Sequence, residues 1–304
     1  MDATLFERGA AFIKKFARPL ELAMFQYHFA NGSKSAVIHE LRKFQNPDGG
    51  FAHALEPDNW NPESNPIATN DAIKILYHLD ALDEATDMMR GVIRYLKSHH
   101  AFDEEKRQWR FQIESNKDYP HAIWWEVEKD GLFEYNPTVA LAAIMIGYGG
   151  GDDYYKQIVR EAMTYLVTAK PIGDTLKCYM LAYEILKNKG IDDILDLSEM
   201  HALIQGKLEA VICADETQYG VAYVYIPSDF FLRSDSSFIG RKMMPLIEME
   251  LAIHSRILKP DGGFAITWQW YTEYDEFHHA EMIWRARITL DRLVFRNIFA
   301  SSQS

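Results

Sequence analysis

Phe44-Gln45-Asn46-Pro47-Asp48-Gly49-Gly50-Phe51-Ala52 is the stretch from which the fold is read, because it comes back near the other end of the chain. Leu258-Lys259-Pro260-Asp261-Gly262-Gly263-Phe264-Ala265 repeats the Pro-Asp-Gly-Gly-Phe-Ala core. Two glycines allow positive φ and close backbone approach. The aspartate accepts hydrogen bonds from the free amides of the turn. Each copy follows an apolar-periodic stretch and precedes a loop and another such stretch. Asn65-Pro66-Ile67-Ala68-Thr69 and Asn136-Pro137-Thr138-Val139-Ala140 form a weaker echo, each opening an apolar run. The unit is therefore helix, glycine turn, loop, helix. A single unit cannot bury its apolar faces, so the units must stack.

Working outward, the periodicity predicts helices at 67–82, 85–99, 137–148, 153–169, 174–189, 197–213, 243–258 and 277–297, besides those before the first turn. Trp109–Ile113 and Val221–Ile226 read as short extended pieces. No regular alternation of strand and helix exists, which excludes a doubly wound sheet. The expected fold is all-α, with about five or six helical hairpins in one domain over residues 1–304.

The repeat resembles that of protein prenyltransferase β subunits and squalene–hopene-type terpenoid cyclases. Residues 44–51 are close to its consensus, and the second copy lacks the Gln. The chain is also similar to uncharacterised bacterial proteins that carry this repeat. With them it shares Gly-Phe-x-His-x-Leu-Glu-Pro-Asp (50–58) and an Asp-Gly-Gly…Thr-Trp…Trp-Arg-x-Arg-x-Thr-Leu stretch (261–290). The resemblance implies an (α/α) toroid with a central cavity. The chain departs from the enzymes at their motifs. It has no Asp-x-Asp-Asp, and Leu176 and Val211 stand where a zinc-binding Asp would precede Cys178 or Cys213. Asp192-Asp193-Ile194-Leu195-Asp196 matches a magnesium–diphosphate pattern of another terpene synthase class, but its place between two helices reads as a cap.

The formal charge of −12 argues against nucleic acid and anionic lipid. Two cysteines make neither a disulfide framework nor a four-cysteine zinc site. The sequence shows no signal-peptide layout and no run long enough for a membrane span, so a cytoplasmic location is expected. No cofactor is expected, with magnesium needed only if the ligand is a diphosphate. Oligomeric state is not written in the sequence.

Seven Trp, sixteen Tyr and seventeen Phe, many in loop-like sequence, direct attention to an aromatic pocket. Glu56 and Asp58 flank Pro57, which stiffens their spacing, and either could act as a proton donor. His53 and Trp60 lie beside them. A second cluster is Trp268, Trp270 and Tyr271, followed by Glu281, Trp284 and Arg285, where Glu281 and Arg285 share one helix face and are expected to pair. Trp125 is the third candidate, adjacent to Trp124. The catalytic candidates are Glu56, Asp58 and Glu281, and the others would bind substrate. The leading expectation is a terpenoid cyclase/prenyltransferase-like protein that binds a largely apolar, isoprenoid or polycyclic molecule, with acid catalysis if it is an enzyme. Two alternatives stand beside it. One is a carbohydrate-active (α/α) toroid, such as a glycoside hydrolase, lyase or epimerase. The other is a binding or scaffold protein without chemistry.

Overall fold

A computed structural model describes residues 3–300. Among these the protein is all-α, with eleven α-helices: α1 (Ala3–Phe16), α2 (Pro19–Phe29), α3 (Lys34–Leu41), α4 (Pro66–His78), α5 (Thr86–Lys97), α6 (Thr138–Tyr148), α7 (Asp153–Thr168), α8 (Gly173–Asn188), α9 (Leu197–Val211), α10 (Met244–Ile257) and α11 (Phe277–Ala300). The one sheet among the described residues is an antiparallel ribbon of β1 (Phe102–Asp103) and β2 (Gln108–Trp109). No described helix is long and apolar enough to cross a membrane.

Helices α3, α4 and α7 start where a polar side chain satisfies a free amide. Ser33 Oγ accepts from Ala36 N at 3.1 Å, Asn65 Oδ1 from Ala68 N at 2.8 Å, and Asp152 Oδ1 from Tyr154 N at 2.8 Å. The chain divides into two compact units. Residues 44–211 form one, and the segments on either side of them form the other.

In the unit of residues 44–211, α6 is apolar on every side and buried from Thr138 to Ile146, packed against α5, α7 and α8. The first glycine turn is clamped onto α5. Asp48 Oδ1 accepts from Gly50 N at 2.9 Å and from Ser64 Oγ at 2.8 Å. Gly49 has φ +102°, and a Cβ there would collide with the carbonyl oxygen of Gly91 on α5. Arg94 of α5 donates to Pro47 O at 2.9 Å and Asp48 O at 3.2 Å. Phe51, fully buried, donates its N–H to Thr69 Oγ1 of α4 at 3.1 Å.

The other unit repeats the device with different helices. Asp261 Oδ1 accepts from Gly263 N at 3.1 Å, and a Cβ on Gly262 (φ +94°) would run into the carbonyl of Arg8 on α1. Arg8 donates to Lys259 O at 2.7 Å and Pro260 O at 3.2 Å. Phe264 N bonds Thr289 Oγ1 of α11 at 3.0 Å. Here α1, from the beginning of the chain, takes the part that α5 plays in the first copy, and it packs along α11 from the end.

A third copy carries no glycine pair. Trp109 N donates to Thr138 Oγ1 of α6 at 2.9 Å, and the Thr138 hydroxyl returns a bond to Trp109 O at 3.2 Å. The indole stacks on Tyr155 of α7 with centroids 6.0 Å apart and planes 9° apart.

Three expectations are corrected. Of Trp109–Ile113 only Trp109 is in a strand, because Arg110 N and Phe111 N bond the loop carbonyls of Ala101 and Gly131, each at 2.7 Å. Val221–Ile226 forms a single bridge, from Tyr225 to Ile212. Helix α4 stops at His78 rather than at 82, since Asp80 takes φ +52°.

Candidate functional site

Glu56 and Asp58 stand in residues 52–65, the loop that leads from the first turn to α4. His53 and Ala54 both have positive φ, 60° and 56°, and the His53 ring meets Asn46 Oδ1 at 2.8 Å while staying exposed. Glu56 and Asp58 are 8% and 3% exposed. Glu56 Oε2 accepts the Asp58 N–H at 3.0 Å, which ties the two residues together across Pro57. Buried carboxylates must be matched by donors or charges, so the fixing of this loop matters to whatever they do.

The fixing comes from amides. Asn59 Nδ2 and Asn61 Nδ2 both donate to Asn116 Oδ1, at 3.1 and 3.0 Å, and Asn116 Nδ2 donates to Trp125 O at 3.0 Å. Backbone bonds from Trp60 N to Pro120 O (3.0 Å) and from Ala122 N to Asp58 O (2.9 Å) complete the seam. Asn59, Asn61 and Asn116 were not singled out from the sequence. The Asn-Trp-Asn spacing at 59–61 is the signal that could have found the first two, while Asn116 is more than fifty residues away in an undistinguished stretch. Trp60 is half-buried and donates its indole N–H to Pro57 O at 3.0 Å. Trp125 is buried and stacks on Phe111 with centroids 4.8 Å apart, so it packs the core rather than lining a pocket.

The second cluster lies in the unit that holds both ends of the chain. Trp268 stands edge-on to Trp284 (5.4 Å, 81°) and to Tyr223 (5.9 Å, 84°). Both indoles are half-buried, and Tyr223 is 56% exposed. The Arg287 guanidinium sits 5.5 Å over the Trp284 ring, a cation–π distance. Trp284 Nε1 is buried without a hydrogen-bond partner. Tyr223 thus joins the aromatic surface of Trp268 and Trp284, with Arg287 of the same cluster beside it.

Three of its proposed neighbours do other work. Trp270 is fully buried, with the Phe277 ring 6.0 Å away, so it belongs to the core. Tyr271 projects into solvent at φ +57°. Arg285 does not pair with Glu281. Its Nη2 reaches both Asp261 oxygens, at 2.8 and 2.7 Å, and its Nε donates to Phe264 O at 3.2 Å. Burial tends to raise the Asp261 pKa, but Arg285 and the Gly263 N–H outweigh it and hold the carboxyl below its ordinary range. The turn wins Arg285 because it offers a carboxylate and a carbonyl together. Glu281 is half-buried on α11.

Asp196 behaves as a cap for α9, accepting from Ser198 N at 2.7 Å and Glu199 N at 3.2 Å, and Asp193 pairs with Lys156 at 2.6 Å. Among the described residues no three His, Cys, Asp or Glu side chains are grouped to hold a metal ion. No family model, no curated protein and no solved structure matches the chain.

Proposed function

We propose that this protein is an (α/α) toroid-type repeat protein, terpenoid cyclase/prenyltransferase-like in its hairpins, that binds a largely apolar or polycyclic small molecule on the surface of Trp268, Trp284 and Tyr223. The thrice-repeated clamp of an aromatic N–H onto a helical threonine supports the repeat reading. One observation carries the binding reading: Trp268 and Trp284, edge to face, are left half-buried with Tyr223 open beside them. Aromatic rings prefer such edge contacts, each worth roughly 0.5–1.5 kcal/mol beyond area burial, so a flat or olefinic ligand can extend the array. Arg287, beside the Trp284 ring, favours a ligand that also carries an oxygen. The reading assigns binding to this surface and no reaction.

The test is a tryptophan-fluorescence titration of the whole chain with farnesol and with farnesyl diphosphate. Saturable quenching is expected with at least one of them. Trp268→Ala should abolish it, while Trp60→Phe should leave it intact. Ligand at 100 times its dissociation constant should also stabilise the fold by about 2.7 kcal/mol. Equal binding by Trp268→Ala and wild type, or no saturable change with either probe, would defeat the reading.

A further inference from the structure

Glu281 has no part in the aromatic-surface reading, although it stands beside that surface. Its expected partner, Arg285, is committed to Asp261 and to Phe264 O. Among the described residues the Glu281 carboxylate makes no hydrogen bond and no ion pair, yet the residue is half-buried. A carboxylate drawn partly out of water and left unmatched favours a donor or a cation. Glu281 precedes Trp284 by one turn of α11, and residues three apart on a helix have Cβ atoms about 5–6 Å apart. Helical side chains lean toward the N-terminus, so the Trp284 indole leans toward the Glu281 turn.

The rings beside it meet at near right angles. The Trp268 plane lies at 81° to Trp284 and at 84° to Tyr223, so the three rings wall a corner. Solvent reaches it, since Tyr223 is 56% exposed and both indoles are half-buried. Arg287 already holds a cation 5.5 Å over the Trp284 ring, which leaves Trp268 and the exposed Tyr223 as the ring surfaces for a ligand. Residues 268–287 also carry four carboxylates, Glu273, Asp275, Glu276 and Glu281, against Arg285 and Arg287. An acidic surrounding raises the local concentration of cations.

We infer that the ligand of this surface carries a quaternary ammonium group. Such an ion is round, needs no hydrogen bond and is attracted by the faces of aromatic rings, tryptophan most of all. A corner of rings set at right angles holds it from more than one side, where a single stacked plane would not. Glu281 supplies the opposite charge, and the Arg287 guanidinium donates to an oxygen elsewhere on the ligand. The inference rests on the aromatic-surface reading and deepens it by naming the charged group.

Tryptophan-fluorescence titration of the full chain with choline tests it, at constant chloride, beside the uncharged isostere in which a tert-butyl group replaces the trimethylammonium. Choline should bind saturably, with a dissociation constant about tenfold or more below that of the isostere. Glu281→Gln keeps the shape and removes the charge. It should weaken choline about fivefold, leave the isostere unchanged and melt with the wild type. Trp268→Ala should abolish choline binding. Three outcomes overturn the inference: no saturable change with choline, equal affinity of the wild type for choline and the isostere, or wild-type choline affinity in Glu281→Gln. Farnesol separates the two readings. If it binds in a Trp268-dependent way while choline fails, the aromatic surface stands and the ammonium falls, and if both ligands fail, both readings fall.

Discussion

Gly49→Ala should be far more damaging than Gly150→Ala, although both glycines have a positive φ, +102° and +113°. At Gly150 nothing lies within 4 Å of where a Cβ would stand, so that variant reports the backbone conformation alone, about 1–3 kcal/mol. At Gly49 the new methyl meets the carbonyl of Gly91 within α5, which is backbone and cannot swing away. Relieving it must lift the turn from the helix, at about 1–3 kcal/mol for overpacking. Lifting also loosens the Arg94 bonds to Pro47 O and Asp48 O, which add about 1 kcal/mol because Arg94 is exposed. Gly49→Ala should therefore exceed Gly150→Ala by about 2–4 kcal/mol, read from urea midpoints at constant m. Gly91→Ala meets Gln45 Nε2 at 2.6 Å and Gly49 Cα only at 3.3 Å, and gains about 1 kcal/mol of helix propensity, so it should fall below Gly49→Ala. A Gly49–Gly150 difference under about 1 kcal/mol would mean that the turn is not pinned to α5, and the clamp argument would fail for this copy.

Two further outcomes follow from single side chains. Arg285→Ala should destabilise by about 1–3 kcal/mol, through loss of its bonds to Asp261 and Phe264 O, whereas Glu281→Gln should stay within about 0.5 kcal/mol. Denaturant titration of the two variants decides it, and the opposite order would restore the Glu281–Arg285 pairing. Burial lowers the His28 pKa to about 4. The unfolded chain binds the proton below about 6.5 and the folded chain only near the lowered value, so stability falls as pH drops through that window, by about 2 kcal/mol between pH 7 and pH 5. His28→Gln should shrink this loss without abolishing it, because burial also lowers the His254 pKa and acts with the same sign. Urea midpoints at the two pH values measure it, and identical losses in variant and wild type would refute the assignment.

The helices and the two glycine turns are legible in the sequence because local rules decide them. Asp48 and Asp261 cap their own turns, and Asp196 caps the helix that follows it. The third turn is illegible, since its clamp of Trp109, Thr138 and Tyr155 has three separate addresses, and the Asn-Pro echo sets Ala140 rather than Thr138 opposite Thr69. Arg285 is misread for a related reason. The i,i+4 rule makes Glu281 available, and only the folded turn brings a carboxylate and a carbonyl that outcompete it. Trp268 and Trp270 differ by two positions, and a strand would point them the same way. The chain there is irregular, so one stays half-buried and the other enters the core.

The repeat specifies a frame and leaves its interior free. Aligning the two turns on Asp48 and Asp261 sets Glu250 and His254 opposite Val37 and Leu41. Aligning the following helices on Thr69 and Thr289 sets Arg292 and Arg296 opposite Ala72 and Leu76. All eight side chains are buried, four apolar in one copy and four polar in the other. Burying ions costs several kcal/mol each unless every polar atom is answered. The second copy answers in part: Glu250 accepts from Ser228 N at 2.8 Å and meets His254 Nε2 at 2.9 Å, Arg296 donates to Leu251 O at 2.7 Å, and Arg292 lies 4.4 Å over the Phe264 ring. It also leaves His254 Nδ1 and Arg292 Nε unmatched. None of these partners belongs to the Pro-Asp-Gly-Gly-Phe motif except Phe264, so the motif that announces the fold is silent about the charges it encloses. The copies differ in what they bury, and side chains such as Trp268 and Glu56 are likewise not dictated by the repeat.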